Sequence, residues 1–98
     1  MQIRILKKHP DAIIPEYATA GASGLDLHAR IPHDIYLQPG VRFTCPFGIG
    51  IELPEGFEAQ VRPRSGLAMK HGVTVLNSPG TVDADFRGEI CAILINHG

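Results

Sequence analysis

An all-β fold is predicted for this 98-residue chain by two features of its sequence. Eleven glycines and eight prolines recur at short intervals along the whole length, leaving almost no room for a helix longer than two turns. Between these breakers apolar and polar residues alternate with period two, the pattern of strands with one buried face. A chain this short makes one domain, residues 1–98, and buries only roughly 60–65% of the surface its unfolded form exposes, so its core needs an addition.

In chain order, Ile3 and Ile5 share one face of a first strand. Leu25, Leu27 and Ala29 line a second, with Asp26 and His28 opposite, and Val41, Phe43 and Cys45 follow the turn at Pro39-Gly40. Ile49, Ile51 and Leu53 lead into Pro54-Glu55-Gly56, and Phe57, Ala59 and Val61 lead out, which predicts a hairpin with a three-residue loop. Ser65–Lys70 is the one helical turn, with Ser65 as the cap of its first N–H groups. The last strand, Glu89–Asn96, carries Ile90, Ala92 and Leu94 on one face and Cys91, Ile93 and Ile95 on the other. A strand apolar on both faces needs cover on both, from another subunit or from a central place within one sandwich. Short strands at such regular spacing build a sandwich or a barrel.

Composition narrows the function classes. A net charge of −1 excludes a general nucleic-acid coat and an anionic-membrane binder, which need a basic excess. No run approaches the ~20 apolar residues of a membrane span, and Met1 leads into an alternating strand instead of a signal peptide, so a cytoplasmic, reducing setting is expected. Cys45 and Cys91 lack CxxC spacing and read as small buried hydrophobes. His9, His28, His33, His71 and His97 are scattered, without HxH or HExxH, so no structural zinc site emerges. Oligomerisation is the remaining route to a fuller core.

Three glycine-flanked segments carry polar groups suited to chemistry. In Ala20-Gly21-Ala22-Ser23-Gly24-Leu25-Asp26-Leu27, small residues allow close backbone approach, and Asp26 either faces solvent, the plainer reading, or pairs with a cation. Arg62-Pro63-Arg64-Ser65-Gly66-Leu67-Ala68 gathers guanidinium forks, a hydroxyl and free N–H groups, the equipment of a phosphate site; alone, it equally describes a solvated basic turn. Gly80-Thr81-Val82-Asp83-Ala84-Asp85-Phe86-Arg87-Gly88 sets two carboxylates beside an aromatic and an arginine. A deprotonated Asp there can take a proton from an attacking water if geometry holds it. Asp-x-Asp alone also occurs in calcium loops and ordinary turns, although an EF-hand would require a distant glutamate that is lacking.

In this order and at these separations, the three segments resemble the first three of the five signature motifs of the trimeric dUTPases. Asn77-Ser78-Pro79-Gly80 resembles the usual approach to the third, and the similarity runs from about Ile3 to Gly98. The resemblance implies a distorted β-barrel or jelly roll that assembles as a homotrimer, with sites at subunit boundaries. It implies hydrolysis of dUTP to dUMP and pyrophosphate by water attack on the α-phosphorus, keeping uracil out of DNA and supplying dUMP for thymidylate synthesis. Asp83 then activates the water. Arg64, Ser65 and Gly66 hold the phosphates, Asn77 with the hairpin residues Thr81 and Val82 reads uracil, and Phe86 packs on deoxyribose where tyrosine is usual. Asp26 and Asp85 support the site, and Mg²⁺ is held chiefly by the triphosphate and water, with no direct protein ligand. The fourth motif and the glycine-rich arm of the family have no counterpart in these 98 residues, which leaves a catalytically incomplete nucleotide-binding or regulatory fragment as the alternative. A dCTP deaminase shares the expected fold but needs a proton-shuttling glutamate near the base, and the third segment has the Val-Asp-x-Asp form instead.

Overall fold

Seven short strands and one helix form the chain in the computed structural model, which describes residues 1–98. They are β1 (Arg4–Lys7), β2 (Arg42–Pro46), β3 (Ile49–Glu52), β4 (Ala59–Val61), α1 (Ser65–His71), β5 (Val73–Val75), β6 (Gly80–Val82) and β7 (Cys91–Asn96). All pairings are antiparallel and fall into three small sheets: β1–β3, β2–β7–β5 and β4–β6. The arrangement is all-β and of jelly-roll type, without closure into a continuous barrel.

Period-two alternation explains the core. Cys45 of β2 stands opposite Ala92 of β7, and both are buried. Ile49, only 1% exposed, is the most enclosed large side chain, and Phe47, Val61, Val75, Val82 and Ile90 pack in the same cluster. No polar side chain is buried with them.

Four expectations are corrected. Leu25–Ala29 is not a strand; Leu27 packs against the core, but the nearest backbone tie is the Arg30 N–H to the Pro46 carbonyl at 2.8 Å. Alternation reports which face is buried and is silent on whether a strand edge is available for pairing. The turn after Leu53 forms, with the Phe57 N–H donating to the Pro54 carbonyl at 3.2 Å, yet its flanks do not pair as a hairpin. β3 pairs with β1 and β4 with β6, so the turn carries the chain from one sheet into another. Ser65 is already inside the helix; Arg64 is the cap residue, and no side chain caps the first turn. Cys91 is exposed, because the register sets it opposite Pro46, on the face away from Cys45 and Ala92.

β7 is central within this chain, with β2 on one edge and β5 on the other. Its outer face is less complete: Cys91 is exposed, and Ile93 and Ile95 are half-buried. The helix ends by a clear local device. Gly72 adopts φ of 67°, and its N–H closes on the Ala68 carbonyl at 3.0 Å, while Lys70 and His71 sit in the last turn, where the helix dipole favours cations.

Candidate functional site

The Arg62–Gly66 segment leaves the end of β4 and enters α1 through an extended Arg64, at φ −102° and ψ 133°. That conformation directs Arg64 towards the first glycine-rich segment, where its Nη1 lies 3.4 Å from Asp26 Oδ1. The guanidinium is largely exposed and Asp26 partly so, which limits such a pair to at most about 1 kcal/mol. The contact therefore orients Arg64 more than it stabilises the fold. Asp26 accordingly pairs with a cation instead of standing free in solvent.

Two concavities meet at Arg64. One, about 500 Å³, has Leu27, Phe47, Val61 and Leu94 among its apolar walls and Asp26, Arg62 and Arg64 as charged lining. The other is an open depression formed by Arg64, Ser65, Gly66, Leu67, Lys70 and His71, with donors and cations but no carboxylate. A phosphate group meets complementary charge there.

The third segment is organised separately. Asn77 lies against Gly80, its Nδ2 3.5 Å from where a Cβ on Gly80 would stand. Thr81 is exposed and Val82 buried, as alternation along β6 requires. The loop then turns, with the Phe86 N–H donating to the Asp83 carbonyl at 3.1 Å. Arg87 Nη1 donates to the carbonyls of Ala84 at 2.7 Å and Phe86 at 3.1 Å, so this arginine braces the loop and does not pair with its carboxylates. Asp83 and Asp85 are partnerless and project from a braced loop. The Phe86 ring lies over Gly88, where a Cβ would meet the ring Cζ at 2.7 Å. Only glycine leaves space for that packing.

The β4–β6 register governs how the pieces relate. Val61 pairs with Gly80 and Ala59 with Val82. Arg62–Gly66 therefore continues from one end of the ribbon, together with Asn77, while Asp83–Gly88 continues from the other. The structure joins Asp26, Arg64, Ser65 and Gly66 on one side and sets Asp83, Asp85 and Phe86 apart from them. No group of three or more His, Cys, Asp or Glu side chains converges anywhere to cage a metal.

Two residues at the flank of the loop carry no signal in the sequence. Lys8 Nζ donates to the Arg87 carbonyl, 79 positions away, and Glu89 accepts the Gly48 N–H, 41 positions away. Local pattern reading has no access to contacts at such separations.

Fold and site together define a jelly-roll protein whose basic and acidic loops leave opposite ends of a short β ribbon. The family model described as dUTPase matches residues 10–98, and the chain belongs to the dUTPase family. A deoxyuridine 5'-triphosphate nucleotidohydrolase of Beijerinckia indica is 61% identical, over 97% of this chain and 63% of its own length. The enzyme of that name from Chlamydia pneumoniae is 65% identical, over 87% of this chain and 59% of its own. The chain thus spans about 60% of the length of these curated relatives. Among solved structures, a dUTPase from phage phi11 of S. aureus superposes with a TM-score of 0.88 at 19% identity, covering 100% of this chain and 61% of that one. A mutant dUTPase of Staphylococcus bacteriophage 80alpha, solved with dUpNHpp, gives 0.85 at 19% identity, covering 98% and 54%. At these identities the structural matches bear on the fold alone.

Proposed function

We propose that this chain forms the part of a dUTPase that carries its first three motifs, and that it binds dUTP and hydrolyses it to dUMP and pyrophosphate. The observation that carries this reading is the pairing of a cationic Ser-Gly depression at Arg64–Gly66 with a braced loop presenting Asp83, in a chain of this family. Arg64, Ser65 and the Gly66 backbone would hold phosphate oxygens and offset charge developing on the transferred group. Asp83 would take the proton of the water that attacks the α-phosphorus, a role suited to a carboxylate without a competing cation. Asn77 and the backbone of Thr81 and Val82 would present fixed donors and acceptors to uracil, and a site built to hydrogen-bond rejects mismatched edges strongly. Phe86, seated on Gly88, would pack against deoxyribose and leave no space for a 2′-hydroxyl. Asp26 would orient Arg64, and Asp85 would support the loop.

Mg²⁺ is the cofactor in this reading. Carried by the triphosphate and water, it would need no protein cage, because hard divalent ions of this size keep several waters and bind through substrate phosphates. Bound there, it would neutralise phosphate charge. A mutant of the phage phi11 dUTPase has been described with a structural Mg(II) ion.

Because the two halves leave opposite ends of the β4–β6 ribbon, a complete site calls for loops from different copies, and a homotrimer is the assembly we propose. Surface area fits cover from outside these residues: they expose 7044 Å², whereas a monomer of their mass exposes about 5,500 Å². We place the protein in the cytoplasm, where free thiols persist.

Incubation with dUTP and Mg²⁺, followed by separation of products, tests the reaction. Release of dUMP and pyrophosphate is expected, and Asp83→Asn should abolish it while leaving affinity for a non-hydrolysable analogue within about threefold, since the group acts on the water. Turnover by Asp83→Asn at the wild-type rate would remove Asp83 from the base role. Binding without turnover in the wild-type chain would overturn the hydrolytic reading.

A further inference from the structure

The loop that carries Asp83 and Phe86 is fastened from outside by two side chains. Lys8 follows β1, and its Nζ donates to the Arg87 carbonyl at 3.1 Å. To reach it the side chain crosses Gly50 of β3, where a Cβ would stand 2.8 Å from Lys8 Cε and 3.2 Å from the Gly88 carbonyl oxygen. Glu89, directly after the loop, is half-buried. Its Oε2 accepts the Gly48 N–H at 3.0 Å, and its Oε1 lies 3.7 Å from His9 Nε2. Gly48 is itself buried, and its carbonyl accepts the Lys8 N–H at 2.7 Å, so both its polar groups are committed at this junction.

The bonds that Arg87 makes to Ala84 and Phe86 fix the shape of the loop but not its stance on the sheets. That stance depends on attachments to other elements, and Lys8 and Glu89 supply them at the carbonyl of Arg87 and the amide of Gly48. We propose that Lys8 and Glu89 are positioning residues that hold the 83–88 loop against β1 and the β2–β3 turn, and thereby set where Asp83 and Phe86 meet a nucleotide. The nucleotide part of this proposal rests on the function read above; the fastening does not.

The test uses the 98-residue chain and four variants: Lys8→Met, Lys8→Arg, Glu89→Ala and Glu89→Gln. Amide hydrogen exchange is followed at Phe86, bonded to the Asp83 carbonyl, and at Ile90, bonded to the Ile49 carbonyl, together with the dissociation constant of a non-hydrolysable dUTP analogue. Losing one charge-assisted bond, Lys8→Met and Glu89→Ala should each speed exchange of the Phe86 and Ile90 amides about tenfold while β2, β5 and β7 keep wild-type rates. Lys8→Arg retains a cationic donor and Glu89→Gln retains an acceptor for Gly48, so both should return to within about twofold of wild type. Affinity for the analogue should fall and recover in the same order. Unchanged loop exchange in Lys8→Met and Glu89→Ala would overturn the proposal, as would Glu89→Gln exchanging as fast as Glu89→Ala. Should Glu89→Ala unfold, Gly50→Ala decides with Lys8→Met: its methyl displaces the Lys8 side chain, and wild-type loop exchange in both would sink the fastening. A wild-type chain that fails to bind the analogue would refute the dUTP reading, while exchange still judges Lys8 and Glu89.

Discussion

Cys45 and Cys91 stand one register step apart on β2 and β7, yet the pleat turns them to opposite faces of the sheet. Burial pushes both thiols up from their ordinary value of 9.0, with a further push on Cys45 from Cys91 and on Cys91 from Glu89. A raised value means that folding favours the neutral thiol. The associated stability is complete below pH 9.0 and is lost as pH rises through the folded-state value, so the melting temperature should decline in alkaline solution. Alkylation in the native state should reach exposed Cys91 first and Cys45 only through opening of the sheet; equal rates would contradict the burial of Cys45. Asp11 has the opposite sign. The Arg30 side-chain hydrogen bond at 3.0 Å holds its carboxyl below 3.8, so its contribution is present above 3.8 and fades as pH falls through the lowered value. Asp11 is fully exposed, and the effect is correspondingly small. At Phe86, truncation to alanine removes the ring over Gly88, and discrimination between dUTP and UTP should drop at least roughly tenfold in competitive binding. Unchanged preference would take Phe86 out of sugar selection.

At the scale of elements, α1 shows how one backbone position sets an end. Gly72 is left-handed, a Cβ there would meet the Gly98 nitrogen at 2.8 Å, and its carbonyl accepts the His97 N–H at 2.8 Å. Gly72→Ala should cost at least about 1–2 kcal/mol in urea unfolding from the left-handed conformation alone. A loss below a few tenths would mean that the helix end relaxes freely. Much of this element structure is legible in the sequence: the strands at Ile3–Ile5, Val41–Cys45 and Ile49–Ile51, the short helix and the two-faced last strand all lie near the observed positions. Pairing is less legible. Leu25–Ala29 alternates like a strand and forms none, and the strands around Pro54-Glu55-Gly56 join different sheets, because alternation encodes faces while partners depend on the path of the whole chain. In the site, the glycine-bounded segments mark where polar groups gather, and the motifs name their parts. The exclusion of Asp83 from the Arg64 cluster follows only from the β4–β6 register, and the reach of Lys8 to Arg87 only from the fold.

For the molecule as a whole, only 12 of 98 residues are buried, and the 500 Å³ cavity opens directly onto core side chains such as Phe47, Val61 and Leu94. Ile3, Val41, Phe57, Leu67 and Phe86 are among the large apolar side chains left exposed. A core this thin, with an excess of surface, calls for cover from outside these 98 residues, and self-association is the cover proposed above. Thermal stability should therefore rise with protein concentration, and a melting temperature constant over a hundredfold dilution would argue for a self-sufficient monomer. The central claim is that each nucleotide site is assembled from the Arg64 side of one copy and the Asp83 loop of another. Native mass spectrometry with a non-hydrolysable dUTP analogue and Mg²⁺ tests it most directly. The expected result is a trimer that takes up to three nucleotides; a monomer that binds one nucleotide with full affinity would contradict it.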